Sequence, residues 1–396
     1  MKIAQRMEKL SPSVTMAITA LGRELKAQGK DILSFSAGEP DFDTPDVIKD
    51  AAIKAIKAGF TKYTSVEGIT ETKQAIIDKL KRDHGLEYNL DNIVISNGAK
   101  HSLFNLFQLL INEGDEVIIP SPYWVTYPEQ VKYSDGVPVF IETDDSTNFK
   151  ITAEQLKAAI TPKTKILVLN SPSNPTGAVY SKEELTEIGK VLEGTDILVL
   201  SDEMYEKILF DKEVFTATAQ VSKDMYDRTV TINGLSKAVA MTGWRFGYIA
   251  TPRIDIVKAM IKLQGQVTSN INSMTQVASI SALEGEADKE IEAMRKEFEK
   301  RRNFAVKAFN DIDGISCVSP KGAFYLFVNI KEVTENSIKF CEQLLAEEGV
   351  AVVPGLAFGQ EGYFRFSFAT DLESIKNGIE RIERFVDRIK NIDYNE

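Results

Sequence analysis

The chain of 396 residues contains two histidines, His84 and His101, and two cysteines, Cys317 and Cys341. Two cysteines are too few for a disulfide framework or a thiolate zinc cluster, so small buried thiols in a reducing compartment are expected. So little histidine argues against zinc hydrolysis. Serine or cysteine catalysis would have to rest on one of these two imidazoles, with no nucleophile motif beside it. Long apolar runs are missing as well. None approaches the roughly 20 residues that span a bilayer, and the stretch Met1 to Lys9 carries charge throughout with no apolar signal region. A cytoplasmic protein with no membrane partner is expected. Nor is there an excess of basic residues: the net charge of −11 disfavours nucleic acid and anionic lipid as partners. Local basic pockets for anionic small molecules stay compatible with that total.

What is present is ample hydrophobic material, 43% of residues, in a chain longer than one ordinary core. There is no internal repeat or low-complexity segment. Helices are expected from Ser13 to Gln28, from Pro45 to Ala58 and, after Gly68-Ile69, to about Arg82, with an ordered turn-rich loop at Ala37 to Pro45. From Asn92 the texture changes to short apolar, β-rich runs that alternate with helical segments such as Lys182 to Leu192. The runs are Ile93 to Ile95, Glu116 to Ile119, Val137 to Ile141, Ile166 to Leu169, Ile197 to Leu200, Thr229 to Ile232 and Phe246 to Ala250. Several lack polar alternation, as strands buried on both faces do. The expected fold is α/β, a mostly parallel seven-stranded sheet in a large domain, with a smaller α+β domain built from both chain ends. The boundaries read as 1–45 for an N-terminal arm and the first part of the small domain, 46–290 for the large domain, and 291–396 for a linking helix and the rest of the small domain. Strands at Ala323 to Val328, Val350 to Val353 and Phe364 to Phe368 belong to this last part. Its closing helix buries Ile375, Ile379, Ile382, Val386 and Ile389.

Ligands of such sheets sit at the carboxyl ends of the strands, and there the chain places unlike chemistries. Asn174 follows one strand, Asp202 and Tyr205 the next, and Lys237 the one after. Each alone has an ordinary explanation: a solvated loop lysine, an aspartate capping a helix, an Asn-Pro turn. Together they suit an aldehyde cofactor. A lysine amine forms an imine with pyridoxal phosphate, whose ring nitrogen then needs an anionic partner and whose phenolic oxygen needs donors. Ser96 to Lys100, between a strand and a helix, is a plausible phosphate cradle.

These residues resemble the fold-type I, class I aminotransferases, which use pyridoxal 5′-phosphate. The resemblance covers nearly the whole chain. Its motifs are Ala37-Gly38-Glu39-Pro40-Asp41-Phe42, Lys62-Tyr63, Gly98-Ala99-Lys100, Ser121-Pro122-Tyr123-Trp124, Asn174-Pro175-Thr176-Gly177, Ser201-Asp202-Glu203-Met204-Tyr205, Ser236-Lys237 with Gly243-Trp244-Arg245, and Phe364-Arg365-Phe366-Ser367. It implies that Lys237 joins the cofactor and shuttles the proton, that Asp202 pairs with the ring nitrogen, and that Asn174 and Tyr205 face the phenolic oxygen. Trp124 would stack on the ring. Gly98, Ala99, Lys100 and Arg245 would hold phosphate, with Ser236 beside Lys237. Tyr63 would reach the cofactor of a neighbouring subunit, making a homodimer with shared sites. Gly38 would lie over the substrate carboxylate. Strand alternation turns Arg365 away from Phe364, Phe366 and Phe368, where its guanidinium can grip an α-carboxylate; without the family resemblance it would read as a solvated strand arginine.

Within the family the chain is most similar to a bacterial aspartate aminotransferase branch in which a lysine after the Gly-Ala pair, here Lys100, recognises the distal carboxylate. Ser13 and Thr15 match a pattern near the substrate side chain. Ser11 stands where members that also accept prephenate have a basic residue. The resemblance thus implies transfer of an amino group from L-aspartate to 2-oxoglutarate. Aromatic, alanine or prephenate transamination, a lyase of the same fold, or a ligand-binding regulator are the alternatives. Gly234 departs from branches that carry a phosphate-binding hydroxyl there, so Ser236 does not simply inherit that role. Phe246 stands where an aliphatic residue is usual, and repacking is expected.

Overall fold

A computed structural model of the protein describes residues 3–393. The ends of the two outer segments, residues 1, 2 and 394–396, lie outside them. All seven expected strands of the large sheet form, in the spatial order Ile93–Asn97, Phe246–Ala250, Thr229–Gly234, Leu198–Asp202, Thr164–Asn170, Glu116–Ser121 and Val137–Glu142. Every pairing is parallel except those of Phe246–Ala250, which runs antiparallel to both neighbours. The central runs are apolar without alternation because both faces are covered: Val168, Leu200, Val230 and Ile249 pack into one core, whereas Ile93, Ile95, Phe246 and Tyr248 pack into another.

Helix starts follow local chemistry. Lys182–Leu192 opens on a capping box between Ser181 and Glu184, and Leu185, Ile188 and Leu192 form its buried face. Ser13 is the N-cap of Val14–Ala27. Pro45 sits just outside Asp46–Lys57 as its N-cap residue, rather than in the first turn.

The second sheet has four strands, in the order Val353–Pro354, Tyr363–Ser367, Tyr325–Asn329 and Ser316–Cys317. Two sequence expectations change here. The strand expected from Ala323 begins at Tyr325, because Ala323 has φ +59° and cannot extend a ladder. The strand expected over Val350 to Val353 splits in two. Val350–Ala351 pairs in parallel with Leu33–Ser34, while Val353–Pro354 pairs with the Arg365 strand. The Leu33 pairing also draws the early chain against the late chain. The long helix Asp288–Asn310 buries Met294, Phe298, Ala305 and Phe309, and the closing helix Leu372–Asp393 buries Ile375, Ile379, Ile382 and Val386. No helix of the described residues is long and apolar enough to cross a membrane.

Candidate active site

Three adjacent parallel strands end level with one another. Their register pairs Asn170 with Asp202 and Asp202 with Ile232, so the turns after them open on one edge. Asp202 is buried there. It accepts a hydrogen bond from the Tyr127 hydroxyl at 2.7 Å and a longer one from the Met204 N–H at 3.4 Å. No helix follows it, which removes the helix-cap explanation. Burial pushes its carboxyl up to about 6, against the pull of Tyr127, Met204 and the Lys237 charge. Such a carboxylate makes no close ion pair among the described residues and is stabilised by a cation brought alongside it.

Lys237 follows the neighbouring strand. Its Nζ donates to the Gly38 carbonyl on the Ala37 to Pro45 loop. Desolvation brings the amine down to about 8; Glu39 opposes this, Arg365 and Arg245 add to it, and Asp202 opposes it. A lysine held there has a usable neutral fraction near physiological pH, which a nucleophile or base requires. The loop bearing Gly38 is firmly docked. Thr44 donates to the Ala240 carbonyl at 2.7 Å, the Trp244 indole donates to Thr44 at 3.1 Å, and Arg301 donates to Asp41 at 2.8 Å.

On the other side stands Arg365. It is 2% exposed, so the solvated alternative is wrong. Phe364, Phe366 and Phe368 fill the core as expected. The guanidinium faces the opposite way and donates to Asn174 Oδ1 at 3.0 Å and to the Ser36 carbonyl at 2.8 Å. Its Nε is buried without a partner among the described residues. Asn174 thereby joins the strand-end turns to the second sheet.

The expected phosphate cradle is built from close approach. Gly98, with φ +84°, precedes the helix Ala99–Leu110, whose N-terminus has no side-chain cap. A Cβ on Gly98 would collide with the Arg245 guanidinium, and one on Gly247 would collide with the Ala99 nitrogen. Arg245 is an exposed residue with φ +59°, and donates to the Thr242 carbonyl at 2.9 Å. A helix N-terminus with the Arg245 cation beside it, the Asp202 carboxyl and the buried Arg365 guanidinium thus gather about the Lys237 amine.

The family model for aminotransferases of class I and II matches residues 30–382. The chain belongs to that family. An aspartate aminotransferase of Bacillus sp. strain YM-2 is 49% identical over 97% of this chain and 99% of its own length. An aspartate/prephenate aminotransferase of Nitrosomonas europaea is 48% identical over 96% of this chain and 99% of its own. The crystal structure of the aspartate aminotransferase from Rhizobium meliloti superposes with a TM-score of 0.94 at 43% identity, covering 98% and 99% of the two chains.

The remaining expected site residues of this aminotransferase fall into two groups. Trp124 packs at the edge of the core and meets Tyr127 edge-on, with centroids 5.4 Å apart at 85°. Lys100 lies in the first helical turn with Nζ 4.9 Å from the Trp124 ring centroid, and its ammonium is lowered by burial and then by Arg245. Tyr205 is buried, its hydroxyl 2.9 Å from that of Tyr325. Ser236 is buried beside Lys237. Other positions do not join the cluster within one chain. Tyr63 is 90% exposed in an open cleft with Asn270, Asn272 and Met274. The Ser13 hydroxyl accepts from the Met16 N–H as a helix cap. Thr15 Oγ1 is buried without a partner among the described residues.

The Gly234 departure has a steric cause. A Cβ there would sit 2.6 Å from the Phe246 carbonyl oxygen and 3.1 Å from Gly247 Cα, so a hydroxyl-bearing residue does not fit this strand pair. Phe246 itself is fully buried against Tyr248. Tyr127 and Tyr325 were missed by sequence reasoning. Strand alternation could have put Tyr325 on the same face as Phe327. Nothing local announces that the Tyr127 hydroxyl meets Asp202.

Proposed function

We propose that this aminotransferase is a pyridoxal-phosphate-dependent aspartate aminotransferase, acting by ping-pong half-reactions on L-aspartate and 2-oxoglutarate to give oxaloacetate and L-glutamate. The observation that carries this reading is that Asp202 and the buried, partly unsatisfied Arg365 both lie within electrostatic reach of the Lys237 amine, in a chain whose relatives are named for aspartate. The donor set suits the cofactor: an amine for its aldehyde, a carboxylate for its ring nitrogen, and an open helix end with Arg245 for its phosphate. Bound there, pyridoxal phosphate supplies a carbonyl that captures an amine and a cationic ring that withdraws electrons from the substrate α-carbon.

The protein's own part is positioning and proton transfer. Lys237 would hold the cofactor through Nζ and would take the proton from the substrate α-carbon. Asp202 keeps a negative charge against the ring nitrogen, with Tyr127 fixing its orientation. Arg365 grips the α-carboxylate while Asn174 and Ser36 fix its plane. Lys100 serves the distal carboxylate, and Ser13 and Thr15 are assigned to the substrate side chain on the family resemblance alone. Trp124 would cover the ring, Gly38 would leave room for the carboxylate, and Tyr205 would donate to the phenolic oxygen. Tyr63 completes the site of a partner subunit in a homodimer, and its exposure in the single chain fits that use. We assign residues 46–290 to the cofactor domain and the segments on either side to a smaller domain, in a cytoplasmic enzyme.

Titration of the purified, cofactor-loaded protein with L-aspartate tests the reading. The visible absorbance is expected to fall and to return on addition of 2-oxoglutarate, and kcat/KM for aspartate should exceed that for alanine and phenylalanine. A higher kcat/KM for either competitor, or release of pyruvate and ammonia from β-substituted amino acids, would overturn it. The Nitrosomonas relative favours one second reading, prephenate as an additional acceptor, which the same assay with prephenate and an amino donor decides.

A further inference from the structure

Tyr325 has no role in the reading above, and its position gives it one. It opens the strand Tyr325–Asn329, whose antiparallel register sets Tyr325 opposite Ser367 and Phe327 opposite Arg365. Tyr325 and Arg365 are therefore diagonal neighbours on one sheet face, a separation that an aromatic ring and a long side chain bridge. The guanidinium carbon lies 4.5 Å from the Tyr325 ring centroid, and the Phe358 ring meets the same guanidinium at 4.9 Å. The hydroxyl lies 2.9 Å from the Tyr205 hydroxyl. Both phenols are buried, and a Cβ on Gly38 would lie only 3.2 Å from the Tyr325 oxygen. Besides each other, the pair faces the Arg365 cation, and Tyr205 also faces Asp202.

A phenol has one proton to give. If Tyr205 spends its proton on Tyr325, none is left for the cofactor's phenolic oxygen. The Arg365 charge held against the Tyr325 ring makes Tyr325 the better donor of the two. We propose that Tyr325 is a positioning residue, donating its hydroxyl proton to the Tyr205 oxygen while its ring supports the Arg365 guanidinium. One side chain then aligns both the carboxylate grip and the phenol directed at the cofactor. This rests on the pyridoxal-phosphate reading above.

The test uses holoenzyme and two measurements: the pH at which the visible band of the bound cofactor titrates, and KM for aspartate. In Tyr325→Phe the Tyr205 oxygen loses its donor and Tyr205 donates less strongly, so the phenolic oxygen holds the neighbouring proton more tightly. The titration should move up by roughly half to one pH unit with KM nearly unchanged, because the ring remains. Tyr325→Leu should show the same rise together with a KM increase of about tenfold. In a Tyr205→Phe background, Tyr325→Phe should add no further movement. An unchanged or lowered titration in Tyr325→Phe, or a full rise persisting without the Tyr205 hydroxyl, would overturn the proposal. If Tyr325→Leu does not fold, Tyr325→Phe and the double variant decide. A wild-type protein that forms no visible band with pyridoxal phosphate would defeat the cofactor reading and this inference with it, whereas a band that Tyr325→Phe leaves in place defeats the inference alone.

Discussion

Asp202 and Glu203 are consecutive buried carboxyls on opposite faces of one sheet. Asp202 shares its face with Ile232 and opens on Tyr127 and Lys237. Glu203 shares the face of Ser201 and Thr231, and accepts from the Ser201 hydroxyl at 2.8 Å and the Thr218 N–H at 3.1 Å. Its second oxygen has no partner among the described residues, and neither do the buried hydroxyls of Tyr88, Tyr248, Thr229 and Thr231. Burial raises Glu203 to about 7; His84 opposes this and Glu206 adds to it. Two neighbours of nearly identical chemistry thus meet a prospective cofactor site on one side and a polar interior on the other. The strand's twofold alternation makes the difference. Glu206, in the same interior, shows a third outcome. Burial works against its ionisation, yet Lys79 and His84 hold it well below the usual carboxylate range.

The contrast can be broken by removing one charge at a time. Glu206→Gln should have the largest effect on stability, about 3 kcal/mol lost in urea denaturation, because buried Lys79 keeps only Asp83, 3.7 Å away. Asp202→Asn should lower kcat/KM for aspartate by about 10²–10³-fold with little loss of stability, since it removes an electrostatic partner inside the site. Glu203→Gln should leave kcat/KM within about threefold, because its side chain lies on the far face of the sheet from the site; a loss as large as that of Asp202→Asn would erase the distinction between the faces. A further effect is one of pH. A carboxyl raised in the folded state contributes fully to stability below its ordinary value of 4.5, and that contribution is lost as pH rises to about 7. Denaturation of the apoprotein between these limits should therefore show stability falling with pH. Glu203→Gln should remove up to about 3 kcal/mol of that fall. The Asp202 part of the slope should remain in the variant, because that carboxyl is also raised, to about 6. Glu206, being lowered, has its stability contribution present above its ordinary value, so its part of the slope lies toward the acid end and runs the other way.

Much of this architecture was legible in the order of residues. The seven runs became seven strands because unbroken Val, Ile and Leu segments are stable only with both faces covered. Ile375, Ile379, Ile382 and Val386 became a buried helix face for an equally local reason. Where expectations shifted, the cause lay elsewhere in the chain. Val350 to Val353 split because its two halves pair with different partners, Leu33–Ser34 and the Arg365 strand. The Ser13 hydroxyl is taken up as a helix cap, a use that competes with the expected substrate contact.

The sequence by itself determined which chemistry was available: one lysine, one aspartate and one amide at successive strand ends, and an arginine facing away from three phenylalanines. It did so because strand period and strand ends are local properties of the backbone. Only the tertiary structure decided which groups meet. That the Tyr127 hydroxyl donates to Asp202, that the Arg365 guanidinium is buried against Asn174 and Tyr325, and that Gly234 leaves no room for a hydroxyl beside Phe246 all depend on register and close approach between distant segments. Register is fixed by pairing across the whole sheet, and no window of sequence contains both partners.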